Sequence, residues 1–235
     1  MKVLDELTPE LMQWIKEQHM FFIASAPLNG KHINVSPKGL SKTFNLVSST
    51  SLAYLDRIGS GSETISHINE PGNARLCIMF CGYDGPPRIV RLHCFGEYIK
   101  SGTPEFNTLV TKYFSEAPCN IYRGIVLAKA FLVSVSCGKG VPFYDFVKER
   151  PDMTKSIKSL SKGNKFKNQI VEWNKESLDQ LPGSTHSEFY YVMEKKNSEK
   201  IKTGNRIYHY SSYELLFVAI LICIIVLQQI VFWGI

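Results

Sequence analysis

Residues 21–137 are short β-rich runs broken by turn residues, and that punctuation limits the folds open to this chain. Runs at 21–26 and 32–36 flank Pro27-Leu28-Asn29-Gly30-Lys31, where Asn-Gly is a hairpin signal. Residues 51–56 form the next run, and 75–83 and 88–99 flank the turn Asp84-Gly85-Pro86-Pro87. A long apolar run at 122–137 closes the series. Helix starts are few. Thr8-Pro9-Glu10 sets a capping hydroxyl before a proline and an acid, and Leu11, Trp14 and Ile15 follow on one face. That pattern predicts an amphipathic helix over 8–20. A shorter helix is expected at 63–69, stopping at Pro71-Gly72, and a third from Thr103-Pro104-Glu105 to Phe114. Runs of strands with small helices between them, and no βαβ alternation, argue for an antiparallel barrel over a doubly wound sheet.

The 235 residues suit one domain with something appended, and 44% hydrophobic content is ample for a core, which excludes wholesale disorder. The appendage is at the end. Residues 215–227 are apolar without interruption, and after Gln228-Gln229 the run resumes to Ile235. Such a length spans a hydrocarbon core of about 30 Å. It is apolar on every side but the glutamines, unlike the striped face of a buried core helix. A tail anchor is therefore expected at 213–235. Lys195, Lys196, Lys200, Lys202 and Arg206 upstream would keep the main domain on the cytosolic side. The lack of basic residues beyond the span points to the endoplasmic reticulum rather than the mitochondrial outer membrane.

The formal charge of +6 has a second concentration at Lys155, Lys158, Lys162, Lys165 and Lys167. Apart from Phe166 no aromatics interleave with it, so a solvated or lipid-facing surface is expected and nucleic acid is not. The six cysteines show no disulfide framework and read as buried free thiols. Cys77 and Cys81 share a strand face, but no second pair of ligands lies nearby, and no metal is expected. Nothing in the motifs places a base or carboxylate beside His67 or His93, and both read as structural or surface groups. No Ser-His-Asp order, paired-carboxylate motif or Cys-His nucleophile is present to suggest a catalytic residue.

Three stretches carry groups suited to a phosphate. Gly59-Ser60-Gly61-Ser62-Glu63-Thr64 joins a turn to a helix start, where Ser62 is placed to cap and free N–H groups attract anions. Taken alone it is a Gly/Ser turn before a capped helix. It lacks the Lys-Ser/Thr ending of a nucleotide-binding loop, and Glu63 opposes an anion pointing at it. Ser36-Pro37-Lys38-Gly39 adds a hydroxyl and a cation where the chain leaves a strand. Arg75, Arg88 and Arg91 are the third set. Arg88 and Arg91, three apart on a strand, face opposite sides, and each is also readable as an edge arginine that guards against mispairing.

With Tyr54-Leu55-Asp56 and Gly85-Pro86-Pro87-Arg88-Ile89-Val90-Arg91, these stretches resemble the pyridoxamine 5'-phosphate oxidase-like family of flavin-binding split barrels. The similarity is to a fungal branch with Ser-Pro-Lys-Gly, Gly-Ser-Gly-x-Glu-Thr and Pro-Pro-Arg-x-x-Arg in this order. It runs from 21 to 183 and ends at Leu181-Pro182-Gly183, with Gln180 where a glycine is expected. The resemblance implies a mainly β chain with short helices, folded as an antiparallel Greek-key split barrel. Its expected divisions are an N-terminal helix (1–20), the barrel (21–140), an extension packed on it (141–183), a polar tether (184–212) and the transmembrane anchor (213–235). It implies a homodimer binding FMN, with Ser36, Lys38, Ser62 and Thr64 holding the phosphate and ribityl chain. Gly61 and Arg75 are expected beside them, and Arg88 or Arg91 would serve the partner's site. Flavin-dependent oxidation or reduction of a small substrate is the implied activity; the alternative is a flavin or haem module without turnover. The C-terminal Arg-Leu-x-Pro stretch of the pyridoxamine phosphate oxidases themselves is missing, so their substrate is not implied.

Overall fold

A computed structural model describes residues 1–117, 121–150, 171–184 and 191–192. The chain divides into a unit of Met1–Lys195 and a second of Lys196–Ile235. The second, with the apolar run at 215–235, lies outside the described residues. Among the described residues no helix is long and apolar enough to cross a membrane.

The elements are β1 (Lys2–Leu4), α1 (Pro9–Glu17), β2 (Met20–Ser25), β3 (Asn34–Gly39), β4 (Phe44–Leu46), β5 (Ser51–Arg57), α2 (Glu63–Asn69), β6 (Arg75–Cys81), β7 (Ile89–Lys100), α3 (Pro104–Tyr113), β8 (Ile121–Ser136) and β9 (Tyr191–Val192). The strands form one antiparallel sheet in the order β3-β2-β6-β7-β8-β5-β4, with β1 and β9 also on β8. This is a mostly β half-barrel with short helices, as the strand runs predicted. Helices α1 and α3 start as expected: Thr8 and Thr103 accept from the backbone N–H three residues on, each with proline following. Helix α1 stops at Glu17, three residues short of the predicted end. The hairpin of β2 and β3 forms, but its connection is eight residues long rather than a tight Asn-Gly turn. Strands β1 and β4 were not anticipated. Strand β9 lies inside the stretch expected to be a plain tether, so pairing on β8 extends beyond the predicted end of the extension.

Two cores result. Leu11 and Ile15 of α1 pack with Phe21, Phe80, Leu92 and Val126, while Phe106, Val110 and Phe114, from α3 and its C-cap, pack with Ile99, Tyr122 and Ile125. Strand β5 divides them. Its period of two sends Leu52 and Tyr54 into the first core and Ala53 and Leu55 into the second. Asp56, next on the face of Leu52 and Tyr54, is thereby delivered as a buried carboxylate.

The extension packs on the barrel where it is described. The Tyr144 N–H donates to the Tyr83 carbonyl, Phe146 stacks on His19 at 3.9 Å, and Glu149 accepts from the Ser41 N–H and hydroxyl at 2.6 and 2.7 Å. Residues 174–184 fold back through Ser177 and Leu181, and Gln180 sits at φ 63°. The glycine expected there has this physical basis: left-handed backbone costs a side chain about 1–2 kcal/mol. Gln180 is exposed. Gln180→Gly is therefore expected to stabilise the chain by roughly 1 kcal/mol, a rise of about 2–4 °C in Tm. Differential scanning calorimetry checks this, and an unchanged or lower Tm would show that the glutamine side chain compensates for its backbone.

Candidate functional site

The inward face of β3 is polar. Asn34, Ser36 and Lys38 alternate inward and pair across the ladder with buried Ser25, Ile23 and Phe21. Asn34 donates to Thr64 of α2 at 3.2 Å and to Ser25 at 3.3 Å. Lys38 places Nζ 3.9 Å from Asp56 Oδ1 and 5.9 Å from the centre of the Tyr54 ring. Burial pulls the Lys38 ammonium below its ordinary range; Asp56 counters in part, and Arg123 adds to the fall.

Asp56 is committed chiefly to Arg123, whose Nε donates to Asp56 Oδ2 at 2.5 Å. A register shift sets this up. Asp56 pairs with Gly124 and Arg57 with Tyr122, so Arg123 is the extra residue of a β-bulge. A bulge re-aims its side chain, and here the guanidinium is turned into the barrel. It also donates to the Gly61 carbonyl at 2.8 Å and to Asn174 Oδ1, while Asn174 Nδ2 donates to the Gly59 carbonyl at 2.9 Å. Burial alone would lower the pKa of Arg123, but the charge and hydrogen bond of Asp56 hold it above the ordinary value. The Tyr54 hydroxyl, fully buried, has no hydrogen-bond partner among the described residues and is pushed well up by burial and then by Asp56.

The glycine-rich stretch enters this network through its carbonyls. Ser62 occupies the N-cap place but makes no capping bond with its side chain, contrary to expectation; its hydroxyl faces Ser66 at 3.4 Å. Neither Gly59 nor Gly61 has positive φ, and a Cβ at either meets nothing within 4 Å. Gly183 is different. A Cβ there would collide with Ser62 Oγ and the Asn174 carbonyl, so only glycine lets this segment close over α2. Ser62 and Thr64 are consequently buried.

Of the predicted residues, Lys38 and Gly61 meet Asp56 and Arg123, Ser36 shares the inward face of Lys38, and Ser62 and Thr64 are buried at the start of α2. The three arginines are elsewhere. Arg75 and Arg91 lie on the outward face: Arg75 pairs with exposed Phe95 and donates to Asn73 at 3.1 Å, and Arg91 pairs with Met79 and donates to Ser136 at 3.2 Å. Arg88 is bound to α1 through Glu10 at 2.8 Å and the Trp14 ring at 5.6 Å. Sequence reasoning missed Arg123 and Asn174. The first was visible only as an arginine inside an apolar strand, the second not at all. It also missed the carboxylates beside His67, which is wholly buried with Glu63 at 3.8 Å and Asp179 at 3.5 Å.

The network makes opposite predictions for its two ends. Asp56→Asn strands a buried guanidinium and is expected to cost about 3–5 kcal/mol in urea unfolding. Lys38→Met removes a cation that burial disfavours and leaves the Asp56–Arg123 pair intact, so a change within about 1 kcal/mol is expected. Equal losses in the two variants would show that Lys38, rather than Arg123, is the main partner of Asp56.

Comparison with known proteins adds a lineage. No protein-family model matches the chain. Among solved structures, a HupZ variant from Group A Streptococcus has a TM-score of 0.45 at 15% identity, covering 55% of this chain and 99% of that one. The FAD binding protein from Mycobacterium smegmatis reaches 0.39 at 12% identity, with coverages of 57% and 97%. Those scores are too low to bear on function. A sequence relative is much nearer: the pyridoxamine 5'-phosphate oxidase family protein ustO of Aspergillus flavus is 36% identical over 192 residues, 76% of each chain. Identity at that level over that length, with motifs running from β3 to Gly183, makes this chain a member of the pyridoxamine 5'-phosphate oxidase family.

Proposed function

We propose that the chain binds a flavin, FMN in particular, and uses it to oxidise or reduce a small substrate. Lys38 carries the proposal. Its ammonium is retained where burial disfavours charge, beside a carboxylate already committed to Arg123. Two cations against one carboxylate leave a positive charge that a phosphate group would complement. Ser36 offers a hydroxyl on the same strand face, and the unpartnered Tyr54 hydroxyl adds a buried donor nearby. Ser36 and Lys38 would hold the phosphate, while Gly61, Ser62 and Thr64 form the wall behind it. A bound flavin supplies one- or two-electron chemistry; the chain's part is to bind it, orient it and set its electrostatics.

A second copy of the chain has its own support. Phe95 and Phe131 lie on the outward face with ring centres 4.9 Å apart and are 53% and 56% exposed, an apolar patch that association would cover. Arg75 and Arg91 share that face, which favours them over Arg88, held to α1 by Glu10, as the arginines that would reach a partner's ligand. The apolar run at 215–235 is proposed to anchor the domain to a membrane, the endoplasmic reticulum in preference to the mitochondrial surface, with the domain facing the cytosol.

The deciding measurement is FMN titration of the apoprotein, followed by absorbance. The wild-type chain is expected to take up FMN with a two-banded visible spectrum. Loss of a charged hydrogen-bonding group should weaken binding about ten-fold or more in Lys38→Ala. Undiminished binding in that variant, with loss in Arg91→Ala, would move the phosphate to the outward face. A chain that takes up no FMN would overturn the flavin assignment. A chain that binds FMN but cannot be reduced with NADH or NADPH would favour a module without turnover.

A further inference from the structure

His32, Glu63, His67 and Asp179 come from the β2–β3 connection, α2 and the extension, and they converge on one point. One ligand atom from each can be chosen so that all lie within 4.8 Å of one another. The contacts are 3.1 Å from His32 Nε2 to Glu63 Oε2 and 2.9 Å from His32 Nδ1 to Asp179 Oδ2. His67 Nε2 lies 3.8 Å from Glu63 Oε2 and 3.5 Å from Asp179 Oδ2. We propose that these four side chains form a closed binding site for a divalent transition-metal ion of the zinc class, which fastens the extension to the barrel.

The independent sign is an unpartnered atom. His67 is 0% exposed, and its Nε2 points at both carboxylates without making a hydrogen bond. Asp179 Oδ2 is likewise buried and unpaired: His32 Nδ1 approaches it to 2.9 Å, yet the contact lacks hydrogen-bond alignment. His32 Nε2 and Glu63 Oε2 are within hydrogen-bond geometry at 3.1 Å, but His67 Nε2 and Asp179 Oδ2 approach each other without that geometry, as ligands of a common centre do. Zinc bonds of about 2.0–2.1 Å set tetrahedral ligand separations near 3.3 Å; the four ligand atoms here lie within 4.8 Å of one another, so the widest pairs would draw in around the ion. His32 can lend only one nitrogen, and its other then faces a carboxylate that orients the ring.

The surroundings select single atoms. His67 Nδ1 lies 2.9 Å from Ser25 Oγ; when it donates its proton there, the Nε2 lone pair faces the cluster. Glu63 Oε1 accepts from the Leu178 N–H at 3.0 Å, which leaves Oε2 inward. Asp179 Oδ1 packs against Gly30, where a Cβ would come within 2.6 Å of it, so Oδ2 turns inward. Two carboxylates and two neutral imidazoles carry a charge of −2, which a divalent ion balances. Two imidazole ligands favour zinc and its transition-metal neighbours over calcium or magnesium.

The test uses the full-length chain in mild detergent, stripped with EDTA and then titrated with Zn2+ by calorimetry and with Co2+ by visible absorption. One equivalent of Zn2+, intense tetrahedral Co2+ bands and a higher Tm with zinc are expected. His67→Ala and Asp179→Asn should each weaken zinc binding more than about ten-fold, while His93→Ala, away from the cluster, should not. His32→Gln and Glu63→Gln, with folding checked by circular dichroism, decide the matter if the buried variants misfold. Sub-stoichiometric zinc, or zinc binding unchanged in all four variants, would overturn the site. So would a cluster that stabilises the chain equally in EDTA, because protons on the imidazoles would then be balancing the carboxylates.

Discussion

A guanidinium inside a β-barrel has to be met by a carboxylate and by carbonyl oxygens, and the position of Arg123 imposes that demand on three separate parts of this chain. Asp56 answers from β5, Gly61 from the turn before α2, and Asn174 from the extension. None of these contacts is local in sequence. Removing one partner of a buried pair costs several kcal/mol, so the arrangement is held together as a unit. Lys38 adds a second cation to the same carboxylate, and this excess of positive charge underlies the proposed phosphate site.

The period of two along each strand sorts the remaining chemistry. On β3 it turns Ser36 and Lys38 inward beside the core, and on β6 and β7 it turns Arg75 and Arg91 outward beside exposed Phe95. Cations that look equivalent in a list of motifs therefore serve two different surfaces. One surface is internal, beside the Asp56–Arg123 pair. The other is external, with the exposed rings of Phe95 and Phe131 at its centre.

The elements legible in the sequence were those whose signal is local. Helices α1 and α3 follow from a threonine, a proline and an acid in a row, and the long strands from apolar runs of sufficient length. Even the expected glycine at 180 has its counterpart in a left-handed backbone. Strands β1 and β4, three residues each, and β9, of two, are too short to show a period. The helix-start glycines are under no steric constraint, whereas a Cβ at Gly183, more than a hundred positions away, would collide with Ser62 and the Asn174 carbonyl.

Composition and strand punctuation were enough to determine an antiparallel β domain, because hydrophobic period and turn chemistry act between near neighbours, and the order of four motifs gave its resemblance to the pyridoxamine 5'-phosphate oxidase family. Which charges meet was decided only by the tertiary structure. A single-residue bulge turned Arg123 towards Asp56, and the return of the extension brought Asn174 to Arg123 and Asp179 to two histidines. Register shifts and long-range closure leave no periodic trace in a sequence, since their energy lies in contacts between residues 50 to more than 100 positions apart.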